Sequence, residues 1–142
     1  MATDQLVPTF IEPMLLISGE GAPPRSAAWA LEPKWDGCRA QLRAVDGDVT
    51  LRTRPGRDVT ALFPEIAPIV AALPARAILD GELVCVDPDD GMPDFELLRP
   101  RLSMTRRATI AAAATQAPAQ LIVFDRLSRD SAPAGVGGCG SQ

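Results

Sequence analysis

Two runs of strand-forming residues, Cys38 to Val45 and Asp48 to Arg54, are separated by Asp46-Gly47 alone, and this stretch constrains the fold more than any other. Aspartate followed by glycine tolerates the positive φ angles of a two-residue turn, so the pair predicts a hairpin. The second run alternates Val49, Leu51 and Thr53 against Thr50, Arg52 and Arg54. A half-buried strand has this pattern. The short loop also sets a register: Val45 faces Asp48, Gln41 faces Arg52, and Arg39 faces Arg54. Like charges directly opposite destabilise a hairpin by up to roughly 1 kcal/mol. Either an anion such as phosphate lies between the two arginines, or both side chains reach into water, or the pairing slips by one residue.

Other elements follow from periodicity and punctuation. Trp29 to Trp35 reads as a further strand, which would place Lys34 on a sheet. Val59 to Leu73 has apolar residues at helical spacing, punctuated by Pro64 and Pro74, and predicts one short amphipathic helix. Ala77 to Val86 is a β-type run interrupted by Asp80-Gly81-Glu82, a buried strand carrying carboxylates. Pro93-Asp94 suits a helix start for Pro93 to Leu102, an alanine-rich helix covers Thr105 to Thr115, and Gln120 to Asp125 is a short apolar strand. This order argues for an α+β domain with mainly antiparallel pairing at its start. Residues 1–26 read as a loop-rich lead-in, 27–127 as the folded part, and 128–142 as a disordered, Gly/Ser-rich tail.

Composition narrows the chemistry. The chain has 142 residues, enough for one compact domain, and a formal net charge of −4, so contact with nucleic acid needs a local basic patch. Arg99/Arg101 and Arg106/Arg107 are candidates for such a patch on helix surfaces. Three scattered cysteines, with no CxxC spacing and no histidine, argue against zinc and exclude histidine-based triads. No basic start with a long apolar run and no membrane-length segment is visible, which points to a reducing cytoplasm. Trp29 and Trp35 read as packing residues, and Cys38 faces the core by its alternation with Arg39.

Lys34 sits between acidic residues and an arginine, in Glu32-Pro33-Lys34-Trp35-Asp36-Gly37-Cys38-Arg39. A lysine is a nucleophile only when neutral, and the always-charged Arg39 nearby would favour that form, with Asp36 opposing it. An isolated lysine of this kind would be a surface ion-pair partner. The whole string, however, resembles the Lys-x-Asp-Gly signature of the covalent nucleotidyltransferases, the ATP-dependent DNA ligases and mRNA capping enzymes. With Arg54-Pro55-Gly56-Arg57, Leu79-Asp80-Gly81-Glu82 and Ile122-Val123-Phe124-Asp125-Arg126-Leu127, it is similar to the bacterial ATP-dependent DNA ligases related to the end-joining enzymes. The resemblance spans Pro13 to Leu127.

That resemblance implies an antiparallel-sheet-rich nucleotidyltransferase domain of ATP-grasp-like fold. It implies Lys34 as the nucleophile that takes AMP from ATP, before AMP passes to a DNA 5′-phosphate and the nick is sealed in repair or recombination. It places Glu32 beside the adenine amino group, Arg39 and Arg54 at the phosphates and ribose, and Phe124 as the aromatic that stacks on the purine. It also implies that Glu82 sits near the ribose and a magnesium or manganese ion. On Phe124 the residue pattern alone favours a core aromatic. The implied partner is nicked or broken double-stranded DNA, with no membrane and a monomeric protein.

After Leu127 the sequence departs from the family pattern. The carboxylate of a fourth motif, the lysines of a fifth and an OB-fold domain are not found, and Lys34 is the only lysine in the chain. The ending reads as premature or frameshifted, and the isolated chain is expected to adenylate itself poorly or not at all. Two alternatives stay open: an RNA-directed relative, capping guanylyltransferase or RNA ligase, and a non-catalytic fragment that at most binds nucleotide.

Overall fold

A computed structural model describes residues 7–15, 18–22, 25–129 and 132–133. The hairpin forms as expected: β1 (Cys38–Val45) and β2 (Asp48–Thr53) pair antiparallel, with Gln41 opposite Arg52 and Val45 opposite Asp48. Asp46 and Gly47 adopt φ of 50° and 96°, the left-handed values that the two-residue turn requires. The Arg54 amide donates to the Arg39 carbonyl at 3.1 Å, which carries the pairing one step past Ala40 and Thr53 to the predicted Arg39–Arg54 pair.

On its other side β1 pairs with β3 (Arg76–Cys85), and β3 with β4 (Ala119–Arg129), all antiparallel. A two-residue β5 (Ala132–Pro133) closes the order β2-β1-β3-β4-β5. β4 thus runs past the boundary expected at Leu127, and β5 lies where no regular structure was expected; 130–131 and 134–142 of the expected tail fall outside the described residues. The α+β, antiparallel-sheet-rich class is as read from the sequence.

Period-two alternation divides the sheet into two faces. Ala40, Leu42 and Ala44 of β1, Leu51 of β2, and Leu79, Leu83 and Cys85 of β3 point into one apolar core with Val59, Phe63, Ile66, Leu98 and Ala119, and half-buried Cys38 packs against it. Arg39 and Gln41 of β1, with Asp80 and Glu82 of β3, project from the opposite face.

The core is covered by short helical pieces. Val59 to Leu73 is not one α-helix: it is a 3-10 turn at Thr60–Leu62 followed by a 3-10 segment at Pro64–Ala72. Pro64 and Pro68 lack the amides that i→i+4 bonding needs, so the apolar spacing is kept while the α ladder is not. α1 (Phe95–Arg101) starts where Pro93-Asp94 predicted, the Asp94 carboxylate accepting from the Glu96 amide at 2.8 Å. α2 (Arg107–Gln116) follows.

Two further expectations are corrected. Trp29 to Trp35 is irregular, because the segment has no ladder partner, Pro33 lacks an amide, and Trp29 and Leu31 are 64% and 81% exposed instead of packed. Arg101 is not part of a basic patch. It is 1% exposed, ion-paired to Glu65, bonded to the carbonyls of Leu62 (2.9 Å) and Ala117 (3.2 Å), and stacked 4.5 Å above the Phe63 ring. Arg99 pairs with Glu96 at 2.9 Å. Among the described residues, no helix is long and apolar enough to cross a membrane.

Candidate nucleotide site

The polar face of the sheet floors a cleft of about 580 Å³, within the roughly 300–1,000 Å³ range of small-molecule sites. Glu32, Lys34, Arg39, Arg54, Glu82 and Phe124 all line it. The six nucleotide-site candidates of the sequence therefore meet at one place, although they come from three strands (β1, β3 and β4), an irregular loop and the β2 exit.

Each is delivered by a local feature. The loop carrying Glu32 and Lys34 is pressed onto β3 at Gly37, where a built Cβ would lie 2.2 Å from the Leu83 carbonyl oxygen and 3.0 Å from Glu82 Cγ. Only glycine permits that approach. Lys34 itself is exposed. Phe124 reaches the cleft through a bulge: Gly81 pairs with Val123 and Asp80 with Asp125, so Phe124 is the unpaired extra residue of β4. Such a bulge redirects a side chain, and the ring remains 39% exposed. The sequence placed the irregularity at Asp80-Gly81-Glu82; the extra residue is on the facing strand.

Arg39 is held by a carboxylate of its other neighbouring strand. Its Nε and Nη2 donate to Asp80 Oδ1 and Oδ2 at 2.8 and 2.7 Å, and its Cζ lies 5.0 Å from the Phe124 centroid. The like-charge conflict with Arg54 is relieved by a carboxylate of β3. The hydrogen bonding donated to Asp80 is the largest influence holding the Arg39 guanidinium protonated, against the effect of burial. One amine of the fork, Nη1, is left for a ligand.

The Glu82 carboxyl is pushed above the usual range, first by burial, with Asp36 and Asp80 adding to the effect and Arg39 and Lys34 opposing it. Such a carboxylate favours a cation beside it. Asp80 was missed in the sequence, although its position two residues before Glu82 on a strand placed it on the same face. Pro13, Met14 and Leu15 of the lead-in also line the cleft, with Trp35. No sequence signal marked Met14 or Leu15, because their placement depends on contacts made by β1. Among the described residues, no group of three or more acids and cysteines could hold a metal by itself.

The family described as "ATP dependent DNA ligase domain" matches residues 20–134. The multifunctional non-homologous end joining DNA repair protein LigD of Mycobacterium tuberculosis is 41% identical over 106 residues, covering 72% of this chain and 14% of that protein. DNA ligase C2 of Mycolicibacterium smegmatis is 40% identical over 119 residues, covering 83% of this chain and 32% of that one. Among solved structures, a mycobacterial DNA ligase D complexed with ATP and MES superposes with a TM-score of 0.53 at 34% identity, over 68% of this chain and 28% of that chain. The ligase domain of M. tuberculosis LigD gives 0.51 at 35% identity over the same shares. The chain thus spans well under half the length of each of these proteins.

Proposed function

From the premise that the chain belongs to the ATP-dependent DNA ligase domain family, we propose that it supplies the nucleophile and nucleotide cleft of such a ligase, acting on ATP and then on DNA ends. The observation that carries this reading is the convergence of the chain's one lysine with Glu32, Arg39, Arg54, Glu82 and Phe124 on a single cleft.

Neutral Lys34 attacks the α-phosphorus of ATP. An N–P bond forms, the bond to the bridging oxygen breaks, pyrophosphate leaves, the amine proton passes to solvent, and lysyl-AMP remains. AMP then moves to a DNA 5′-phosphate, and attack by the 3′-hydroxyl at the nick releases AMP and seals the strand. Phe124 offers its exposed face to the purine and Glu32 accepts from the amino group. Arg54 and the Nη1 of Arg39 reach the ribose and phosphates. Glu82 fits as one ligand of magnesium or manganese, since magnesium takes one or two carboxylates and completes its shell with substrate phosphates. Such an ion, when bound, screens charge building on those phosphates.

Incubation with α-labelled ATP and magnesium, followed by denaturing electrophoresis, tests the reading. Label that survives denaturation and is lost in Lys34→Ala and Lys34→Arg supports it; label indifferent to Lys34 overturns it. The expected yield is low, because no second lysine ammonium exists to neutralise the triphosphate. That same scarcity favours a second reading, nucleotide binding without transfer, which saturable calorimetric titration with no label would establish.

A further inference from the structure

Residues 7–15 form no helix or strand, yet the segment is fastened across the cleft face of the sheet by two side chains of β1. Gln41, 3% exposed, gives its Nε2 to the Ile11 carbonyl at 2.9 Å and accepts the Ile11 amide on Oε1 at 2.8 Å. One side-chain amide thus makes both hydrogen bonds that a neighbouring strand would make. Arg43 adds bonds from Nε to the Pro8 carbonyl at 2.9 Å and from Nη2 to the Val7 carbonyl at 3.2 Å. Val7 and Pro13 are buried at the two ends of this strap.

Beyond the anchor the chain delivers Pro13, Met14 and Leu15 to the cleft that also holds Glu32, Lys34 and Phe124. Met14 and Leu15 are 83% and 60% exposed, apolar side chains held within a few residues of a buried polar anchor and left open among the described residues. Leu15 and Arg54 also border an adjoining hollow of about 510 Å³. A buried amide with both ends satisfied is costly to detach, so the strap's position is fixed before any ligand arrives.

We propose that Gln41 is a positioning residue for nucleotide binding: through Ile11 it holds Met14 and Leu15 as an apolar wall that a purine nucleotide covers when it enters the cleft. The inference deepens the ligase reading and rests on it. Gln41 is not among the residues that line the cleft; its effect passes through the strap.

Calorimetric titration of the full chain with ATP and magnesium tests this in a cycle. Met14→Ala/Leu15→Ala is expected to weaken binding about tenfold, from lost apolar burial, with the melting temperature unchanged because both side chains are exposed. Gln41→Met is expected to weaken binding by a similar factor, and the combined variant by little more than either. Should Gln41→Met not fold, Arg43→Met, which unties Val7 and Pro8, takes its place in the cycle. Additive losses would show that Gln41 acts on the fold at large and overturn the positioning role. Binding kept in both variants but lost in Phe124→Ala overturns this inference and leaves the nucleotide site standing. No ATP binding by the unaltered chain overturns both.

Discussion

Arg39 and Asp80 are joined side-on, Nε to Oδ1 at 2.8 Å and Nη2 to Oδ2 at 2.7 Å, across a diagonal of the β1–β3 ladder. The two partners are not equally buried: the Asp80 side chain is 6% exposed, whereas the Arg39 side chain is 26% exposed. Arg39→Ala strands a buried carboxylate and is expected to cost about 3 kcal/mol, while Asp80→Asn leaves the arginine a route to water and costs about 1 kcal/mol. Urea denaturation of the two variants measures this. Equal or reversed costs would contradict the asymmetry.

Arg101 is the corresponding constraint on the other side of the sheet, joining α1 to the 3-10 segment and to the entry of β4 through Glu65, Leu62 and Ala117. Arg101→Ala is expected to cost about 4 kcal/mol, since Glu65 loses its partner while still receiving the Ala119 amide at 2.9 Å. Arg101→Lys should recover only part of that, because an ammonium cannot fork. Thermal melts followed by circular dichroism would show the order wild type, Lys, Ala.

Gly81→Ala is expected to destabilise the protein by more than about 2 kcal/mol, because the new Cβ would lie 2.3 Å from the Ile122 carbonyl oxygen, a backbone atom that cannot swing away. The clash adjoins the bulge that exposes Phe124. Gly47→Ala, with nothing within 4 Å but a φ of 96°, should lose a smaller amount through turn strain alone. Denaturant midpoints distinguish the two mechanisms by size.

Two half-buried glutamates are expected to respond to pH in opposite senses. Burial raises the folded-state pKa of Glu82, so the folded protein holds that proton longer than the unfolded chain, and stability falls as pH rises through the interval above the ordinary glutamate value. Burial also works to raise Glu65, but the bonds from Arg101 and the Ala119 amide outweigh it and its pKa is lowered. Its contribution is present above the ordinary value and disappears as pH falls toward the lowered one. Glu82→Gln should therefore gain stability over wild type at about pH 7 relative to about pH 4, and Glu65→Gln should lose more at about pH 7. Melting temperatures at the two pH values give the signs.

The features legible in the sequence were those set by neighbours along the chain. Asp46-Gly47 fixed a turn, the turn fixed a register, and Asp94 fixed a helix start. Glu32, Lys34, Arg39, Arg54, Glu82 and Phe124 were legible as one set and do share one cleft. What was not legible depended on distant partners. Arg101 reads as a surface charge until Glu65, 36 residues away, is placed beside it. Trp29 to Trp35 has strand composition but no strand to pair with. The apolar spacing of Val59 to Leu73 was correct, while the helix type was decided by Pro68. Met14 and Leu15 reach the site only because the Gln41 amide stands in for a strand.

Lys34, exposed at the mouth of the cleft, carries the sole ε-amino group of the molecule. Isotope enrichment of lysine at Nζ alone therefore yields a spectrum with a single side-chain nitrogen resonance, and that resonance belongs to the site. Titrating nucleotide into such a sample would follow occupancy, protonation and covalent capture at one atom, with no assignment needed.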